Sequence, residues 1–257
     1  DARVIYDFAQ SPWMPRGGYE DELMPVVSRE QSGTDDGTAV ALMDRHGAIT
    51  RLPEYNGMQA SEVGPVGDGR IAARYGDLWG YLDAESMRVT IEPAFVQATG
   101  FDAGLAAVRT LAANDPDDPA DPADPAATDA VIDRGGELLF ELPGRAGSGF
   151  EDGILSVRDG DVYHYVDSAG SIVFSYDATD AEFVGLSRAV EGMILVQRDG
   201  LWGFMDLAGN VVVDAEWDGA RHFDSGFARV FRGSRAEEYE SAVIDLSGRV
   251  LWSSAQP

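Results

Sequence analysis

Apolar residues stand in adjacent pairs immediately before six aspartates. The pairs are Leu42 and Met43 before Asp44, Tyr81 and Leu82 before Asp83, and Val131 and Ile132 before Asp133. Tyr165 and Val166 precede Asp167, Phe204 and Met205 precede Asp206, and Val243 and Ile244 precede Asp245. Side chains alternate across a strand, so two apolar neighbours predict a strand buried on both faces, as when sheets stack. Three residues after the aspartate stands Gly47, Gly136, Gly170, Gly209 or Gly248, with Ser86 the one departure, and an aliphatic run follows, as in SIVF from 171 and NVVV from 210. Asp-x-x-Gly between two apolar runs predicts a hairpin turn: the carboxylate accepts turn amides and the glycine takes the positive φ. The aspartates are therefore expected to be turn caps rather than catalytic groups. Upstream lies another strand, opened by Gly69, Gly104, Gly153, Gly192 or Gly226 and, in the first unit, by the ELMPV segment from 22.

Successive aspartates are 39, 50, 34, 39 and 39 residues apart, which predicts six tandem units of about 40 residues spanning 1–257. Each unit reads as strand, hairpin, strand, Asp-x-x-Gly turn, strand and return loop. The fold class this implies is all-β and propeller-like, one small twisted sheet per unit, with an open stack of β-hairpin repeats as the alternative. RVIYDFA at 3–9 has the register of RVLWSSA at 249–255, so an extra strand is expected to seal or cap the array. Three residues before the aspartate stands Ala41, Gly80, Ala130, Gly203 or Ala242, with His164 the exception. A small residue there predicts close approach by a neighbouring unit.

The segments LWGYLDAESMRVTIEPAFVQATGFDAGLAAV at 78–108 and LWGFMDLAGNVVVDAEWDGARHFDSGFARV at 201–230 resemble the bacterial WG-repeat, or KWG-repeat, family. Two units match its Trp-Gly-aromatic-Ile-Asp-x-x-Gly pattern closely and four are degenerate; Leu78 and Leu201 replace the usual basic residue before the tryptophan. The resemblance implies an all-β repeat found in secreted or cell-envelope bacterial proteins, with no common catalytic residues to carry over.

Three units have tight hairpins, YGDL, RDGD and RDGL, and in these the residue four before the aspartate is Trp79, Tyr163 or Trp202. In the other three the hairpin is longer and the aromatic is replaced by Val40, Asp129 or Ser241. The tryptophan is expected to pack on its own short hairpin, with a sugar-stacking platform as the alternative. The extra loops, 29–38, 111–129 and 231–241, occupy one topological place, so they should project from one edge, where recognition commonly resides. Candidate ligand-binding residues are Asp35, Asp36, Arg232, Arg235 and Tyr239 on these loops, with Asp129, Tyr163 and His164 on the strands beside them. The Asp-Pro tract at 114–126 is expected to be a flexible acidic spacer, or alternatively a weak Ca²⁺ site.

The charge balance narrows the partners. With 19 Lys and Arg against 45 Asp and Glu, the net charge of −26 repels phosphate backbones, so nucleic acid is not an expected partner; a protein or glycan is. The absence of cysteine removes disulfides and thiolate chemistry, and no apolar run approaches the ~18 residues of a membrane span. No phosphate loop, zincin helix, nucleophile elbow or dinucleotide fingerprint is present, no cofactor is expected, and His46, His164 and His222 fall at unrelated places in the repeat. The expected function is a non-catalytic binding module that recognises its ligand through the looped edge. The alternative is a propeller-type carbohydrate-active hydrolase or lyase using carboxylates, with Asp129 the one acid in the aromatic slot.

Overall fold

The computed structural model describes residues 11, 13–15, 22–28, 40–111, 127–180, 185–233 and 240–254. The chain divides into two compact units, Asp1–Glu141 and Leu142–Pro257, each holding three of the repeats. Every repeat is a four-stranded antiparallel meander, hereafter a blade. In the first unit, blade 1 comprises β1 (Trp13–Pro15), β2 (Leu23–Ser28), β3 (Val40–Asp44) and β4 (Ile49–Arg51). Blade 2 comprises β5 (Ala60–Gly67), β6 (Arg70–Tyr75), β7 (Leu78–Asp83) and β8 (Val89–Ala98). Blade 3 reuses β8 and adds β9 (Leu105–Thr110), β10 (Asp129–Asp133) and β11 (Leu138–Glu141), so the two blades form one seven-stranded sheet. In the second unit, blade 4 comprises β12 (Arg145–Glu151), β13 (Ile154–Asp159), β14 (Val162–Asp167) and β15 (Ile172–Asp177). Blade 5 comprises β16 (Gly185–Val190), β17 (Met193–Arg198), β18 (Leu201–Asp206) and β19 (Val211–Trp217). Blade 6 comprises β20 (Gly219–Ala220), β21 (Phe227–Arg232), β22 (Glu240–Asp245) and β23 (Val250–Ser253).

The apolar pairs lie in the third strand of each blade, and all but Val243 are buried. Burial of each such side chain contributes roughly 1.5–3 kcal/mol, which is why the third strand is the most strictly patterned part of the repeat. The buried tyrosines tie blade to blade. Tyr81 donates its hydroxyl to the Thr99 carbonyl at 2.8 Å and Tyr165 donates to the Ser187 carbonyl at 2.6 Å. Thr99 and Ser187 stand at the same place in blades 3 and 5, and each accepts with its own hydroxyl the amide three residues after the strand-opening glycine, Ala107 at 2.9 Å and Leu195 at 3.1 Å.

The aspartates are turn caps. Asp206 Oδ1 accepts the amides of Ala208 at 2.9 Å and Asn210 at 2.8 Å, and the same pair of bonds recurs at Asp44, Asp133, Asp167 and Asp245. Gly47, Gly136, Gly170, Gly209 and Gly248 all lie at φ of 80–85°. Where Ser86 replaces the glycine the turn is one residue longer, with Met87 at φ 55° and Asp83 binding the Ser86 amide and hydroxyl.

The glycine of Trp-Gly has a different cause from the one expected. A Cβ at Gly203 would stand 2.4 Å from the Val213 carbonyl oxygen, and one at Gly80 would stand 2.6 Å from that of Ile91. Both obstacles belong to the fourth strand of the same blade, not to a neighbouring unit. In blades 2 and 5 that strand bulges: Trp202 pairs with Trp217 and Phe204 with Val213, so residues 214–216 face Gly203 alone, and residues 92–94 face Gly80 likewise. Where the fourth strand pairs in step, the same position is Ala41, Ala130, His164 or Ala242.

Candidate functional site

The two hairpin edges of a blade are spent differently. At the edge carrying the Asp-x-x-Gly turns, acidic side chains are engaged by amides. Asp68 Oδ2 accepts the Gly104 amide at 2.5 Å, Asp152 accepts that of Glu191 at 2.7 Å, and Glu191 accepts that of Gly226 at 2.8 Å, each bond passing to the following blade. The turn bonds hold Asp44, Asp206 and Asp245 below the usual carboxylate range; the leading cause is the Ala48 amide for Asp44, the Asn210 side chain for Asp206 and the Ser247 hydroxyl for Asp245. Asp83 is lowered in the same way, first by the Ser86 amide. A hollow at this edge is bordered by Glu151, Arg188, His222 and Asp224. Burial, and secondarily the Arg188 charge, pushes the His222 imidazole below its ordinary value, favouring the neutral ring.

The opposite edge holds the joins between second and third strands. All three long insertions fall there, between β2 and β3, β9 and β10, and β21 and β22. Two hollows open there at equivalent junctions, one in each unit. In the first unit, a hollow of about 390 Å³ is walled by Pro25, Val26, Val27 and Val40 of blade 1 and by Ser61–Val63 and Trp79 of blade 2. In the second, a hollow of about 250 Å³ is walled by Ser156, Val157, Arg158 and Tyr163 of blade 4, with Arg145–Gly147 of its first strand and Ser187 and Arg188 of blade 5. Strand register makes Pro25, Val27 and Val40 the counterparts of Ser156, Arg158 and Tyr163. The first lining sets Ser61 and Glu62 beside Pro25, the valines and Trp79; the second carries arginines with Ser156 and Tyr163, while the surface it presents is mostly apolar.

The tryptophans serve their own blades. Trp79 faces Arg74 on β6 and Phe95 on β8, and its ring covers Gly64, where a Cβ would come within 3.0 Å of it. Trp202 faces Gln197 and Trp217 and packs against the cluster that contains Leu195, Phe204 and Val213. Both are half-buried, and Trp79 also presents part of its ring to the hollow.

Of the residues singled out in the sequence, Tyr163 lines the second hollow, with the Arg158 guanidinium 5.6 Å from its ring centroid. His164, half-buried beside it, shares a 2.7 Å hydrogen bond between Nδ1 and Ser175 Oγ on the facing strand. Asp129 stands in the aromatic slot but is 5% exposed and bound to Arg109, itself 5% exposed, at 2.6 Å. That pair withdraws the carboxylate from acid–base use. Arg232 stacks 4.3 Å from the Trp217 ring centroid and pairs with Glu216 at 3.0 Å, away from both hollows. Asp35, Asp36, Arg235, Tyr239 and the 114–126 tract lie outside the described residues. Among the described residues no three His, Asp or Glu side chains form a metal-ligating group, and no helix is long and apolar enough to cross a membrane.

The residues that sequence reasoning missed are Arg145, Arg158 and Arg188. Arg145 lies directly across β12/β13 from Arg158, and Arg188 of blade 5 borders the same hollow. The signal was present only in the RDGD hairpin that places Arg158 opposite Tyr163.

No curated protein matches the chain. Among solved structures, Kluyveromyces lactis Hsv2 with loop 6CD replaced by a Gly-Ser linker is 10% identical with a TM-score of 0.49, over 86% of this chain and 73% of that one. A eukaryotic initiation factor is 11% identical with a TM-score of 0.47, over 84% and 70%. A protein of unknown function from Bacteroides caccae is 15% identical with a TM-score of 0.36, over 86% and 91%. The family model described as WG containing repeat matches residues 79–110 and 202–234, each running from the Trp-Gly pair of a bulged blade to the end of the second strand of the next blade. The chain carries WG-containing repeats.

Proposed function

We propose that the protein is a non-catalytic interaction scaffold that recognises a protein or glycan through the edge at which second and third strands join, outside the cytoplasm of a bacterial cell. The observation that carries this reading is the pair of hollows at equivalent blade junctions with different linings. A repeat keeps residues that hold its fold and varies those that meet a ligand. At the turn edge the same bonds recur at blade after blade; at the other edge the same positions hold Pro25, Val27 and Val40 in one unit and Ser156, Arg158 and Tyr163 in the other. Hydrolase or lyase chemistry has less support, because Asp129 is committed to Arg109 and the turn aspartates to amides.

The test is a panel of defined neutral and acidic oligosaccharides and peptides, with binding and turnover measured on the same samples. The expected result is saturable binding without product, abolished by Val40→Asp or Tyr163→Ala and preserved in Asp206→Asn. Product release, or binding lost equally in the turn-edge variant at full folding, would overturn the reading.

A further inference from the structure

We infer that the hollow between blades 1 and 2 is an anchor pocket for an aromatic side chain, tryptophan or tyrosine, presented by a partner protein. The inference rests on the reading of this edge as a recognition surface and gives the hollow of the first unit its occupant.

The repeat itself shows what fills this place. The residue four before the turn aspartate lies near the start of the third strand, and as Trp79, Tyr163 or Trp202 it packs a ring into the junction with the following blade. Trp79 lies against the cluster that holds Phe101 and Val108 of blade 3, Tyr163 against Ala189 and Val196 of blade 5, and Trp202 against Phe223 and Val230 of blade 6. Val40 occupies the same position in blade 1 and packs with Ala60, Ala73 and Tyr75 of blade 2. Its junction follows the same plan with the ring left out.

The facing strand does not make up the loss. Strand pairing sets Arg74 opposite Trp79, Arg158 opposite Tyr163 and Gln197 opposite Trp202. Blade 6 inverts the arrangement, with Phe231 facing Ser241, and blade 3 fills the place with Arg109 and Asp129. Blade 1 alone sets two short aliphatic side chains there, Val27 opposite Val40. Both valines line the hollow of about 390 Å³, which is larger than the one of about 250 Å³ beside Tyr163. Protein interiors are close-packed, so a slot that is filled in the other blades and open in this one has room for the missing side chain to come from outside.

The lining sets the chemistry of that side chain. Pro25, Val27 and Val40 supply an apolar wall for a ring, and Ser61 and Glu62 bring acceptors to the same hollow. Glu62 Oε2 takes one guanidinium nitrogen of Arg74 at 3.3 Å, and a carboxylate has capacity for further donors. An aliphatic wall bordered by acceptors suits an apolar body with a polar tip, which tryptophan and tyrosine have and phenylalanine and leucine lack. At the small end of the range for ligand pockets, roughly 300–1,000 Å³, the hollow takes one ring and not a folded segment. Aromatic anchors seated in such pockets dominate protein interfaces, which favours a protein as the source of the ring.

The experiment follows the valine methyl signals of the isotope-labelled full chain by NMR as N-acetyl-tryptophanamide, N-acetyl-tyrosinamide, N-acetyl-leucinamide or methyl glucoside is added, with thermal melts of every variant. The signals of Val27 and Val40, assigned by their loss in Val27→Ile and Val40→Ile, should shift saturably with the two aromatic amides, which should bind about tenfold more tightly than the leucine amide. Glu62→Ala should weaken the aromatic amides about threefold and leave the leucine amide unchanged. Val40→Trp, which returns the repeat's own ring to the slot, should melt no lower than the parent and lose the binding, read at Val27. Val27→Phe copies Phe231 of blade 6 and should block the amides from the second strand, read at Val40. Equal binding of the leucine amide would reduce the site to an apolar hollow, and methyl glucoside moving these signals in place of the amides would give the slot to a glycan. Amide binding retained in folded Val40→Trp or Val27→Phe would place the site elsewhere. Each of these outcomes, or the absence of any shift, overturns the inference. If the amides fail while Tyr163→Ala still abolishes binding of the panel, the scaffold reading stands, so the two fail separately.

Discussion

Tyr165 donates its hydroxyl to the carbonyl of Ser187 at 2.6 Å, from the buried third strand of one blade to the first strand of the next. Tyr81 and Thr99 repeat the relationship in the other unit at 2.8 Å. Blades are therefore joined by a directed bond as well as by apolar contact, and the bond is made from a buried ring to a partly buried carbonyl. Replacing Tyr165 by Phe should lower stability by about 1–2 kcal/mol, read as a shift in the urea midpoint at constant slope. Burial pushes the hydroxyls of Tyr81 and Tyr165 well above the ordinary tyrosine range. A folded pKa above the unfolded one means that this contribution is full below the ordinary value of ~10 and is lost as pH rises beyond it. Tyr165→Phe should therefore flatten the alkaline limb of a melting-temperature profile. An unchanged profile above pH 10 would show that the tie does not matter.

The turn glycines have a second task besides their backbone angle. Gly209 sits at φ +85°, and a Cβ on it would stand 2.9 Å from Phe174 Cε2 on the fourth strand of the preceding blade; Gly248 meets Val213 at 2.9 Å in the same way. Gly153, at φ +75°, has nothing within 4 Å of such a Cβ. Alanine at Gly153 should cost only the left-handed penalty of about 1–2 kcal/mol. Alanine at Gly209 should cost that and a repacking term of about 1–3 kcal/mol more. Urea denaturation of the two variants in parallel checks the ordering, and equal losses would refute the inter-blade role.

The sequence pattern carried the repeat because its cause is local. Six aspartates and five glycines encode a turn whose bonds close within five residues, so spacing alone locates every third strand. The Trp-Gly glycine shows the limit. Its small size was legible, but its cause, a bulge in the fourth strand of its own sheet, depends on strand register between residues such as Gly203 and Val213, ten apart. The candidate site was less legible still. Tyr163 was marked by its slot, yet Arg145, Arg158 and Arg188 meet through cross-strand pairing and a blade junction that no motif spacing records. Asp129 illustrates the converse: an acid in an aromatic slot looked like chemistry until its partner, 20 residues earlier, came opposite it.

That partner sets the last prediction. Arg109 and Asp129 face each other across β9 and β10, each 5% exposed, in the slot that Arg74 and Trp79 fill in blade 2. Taking two charges out of water is expensive, and their attraction repays it only while both are present. Asp129→Leu takes a carboxylate partner from a buried guanidinium and should cost about 3–5 kcal/mol; Arg109→Leu should cost a similar amount by taking the guanidinium from the buried carboxylate. The double variant Arg109→Leu, Asp129→Leu should lose much less than the sum of the two, because an apolar pair suits the environment that blade 2 gives its tryptophan. Denaturant midpoints for the four proteins close the cycle. Strictly additive losses would mean that the pair is two independent groups, and a variant at Asp129 that kept its full stability but lost turnover of a saccharide would restore the acid to catalysis.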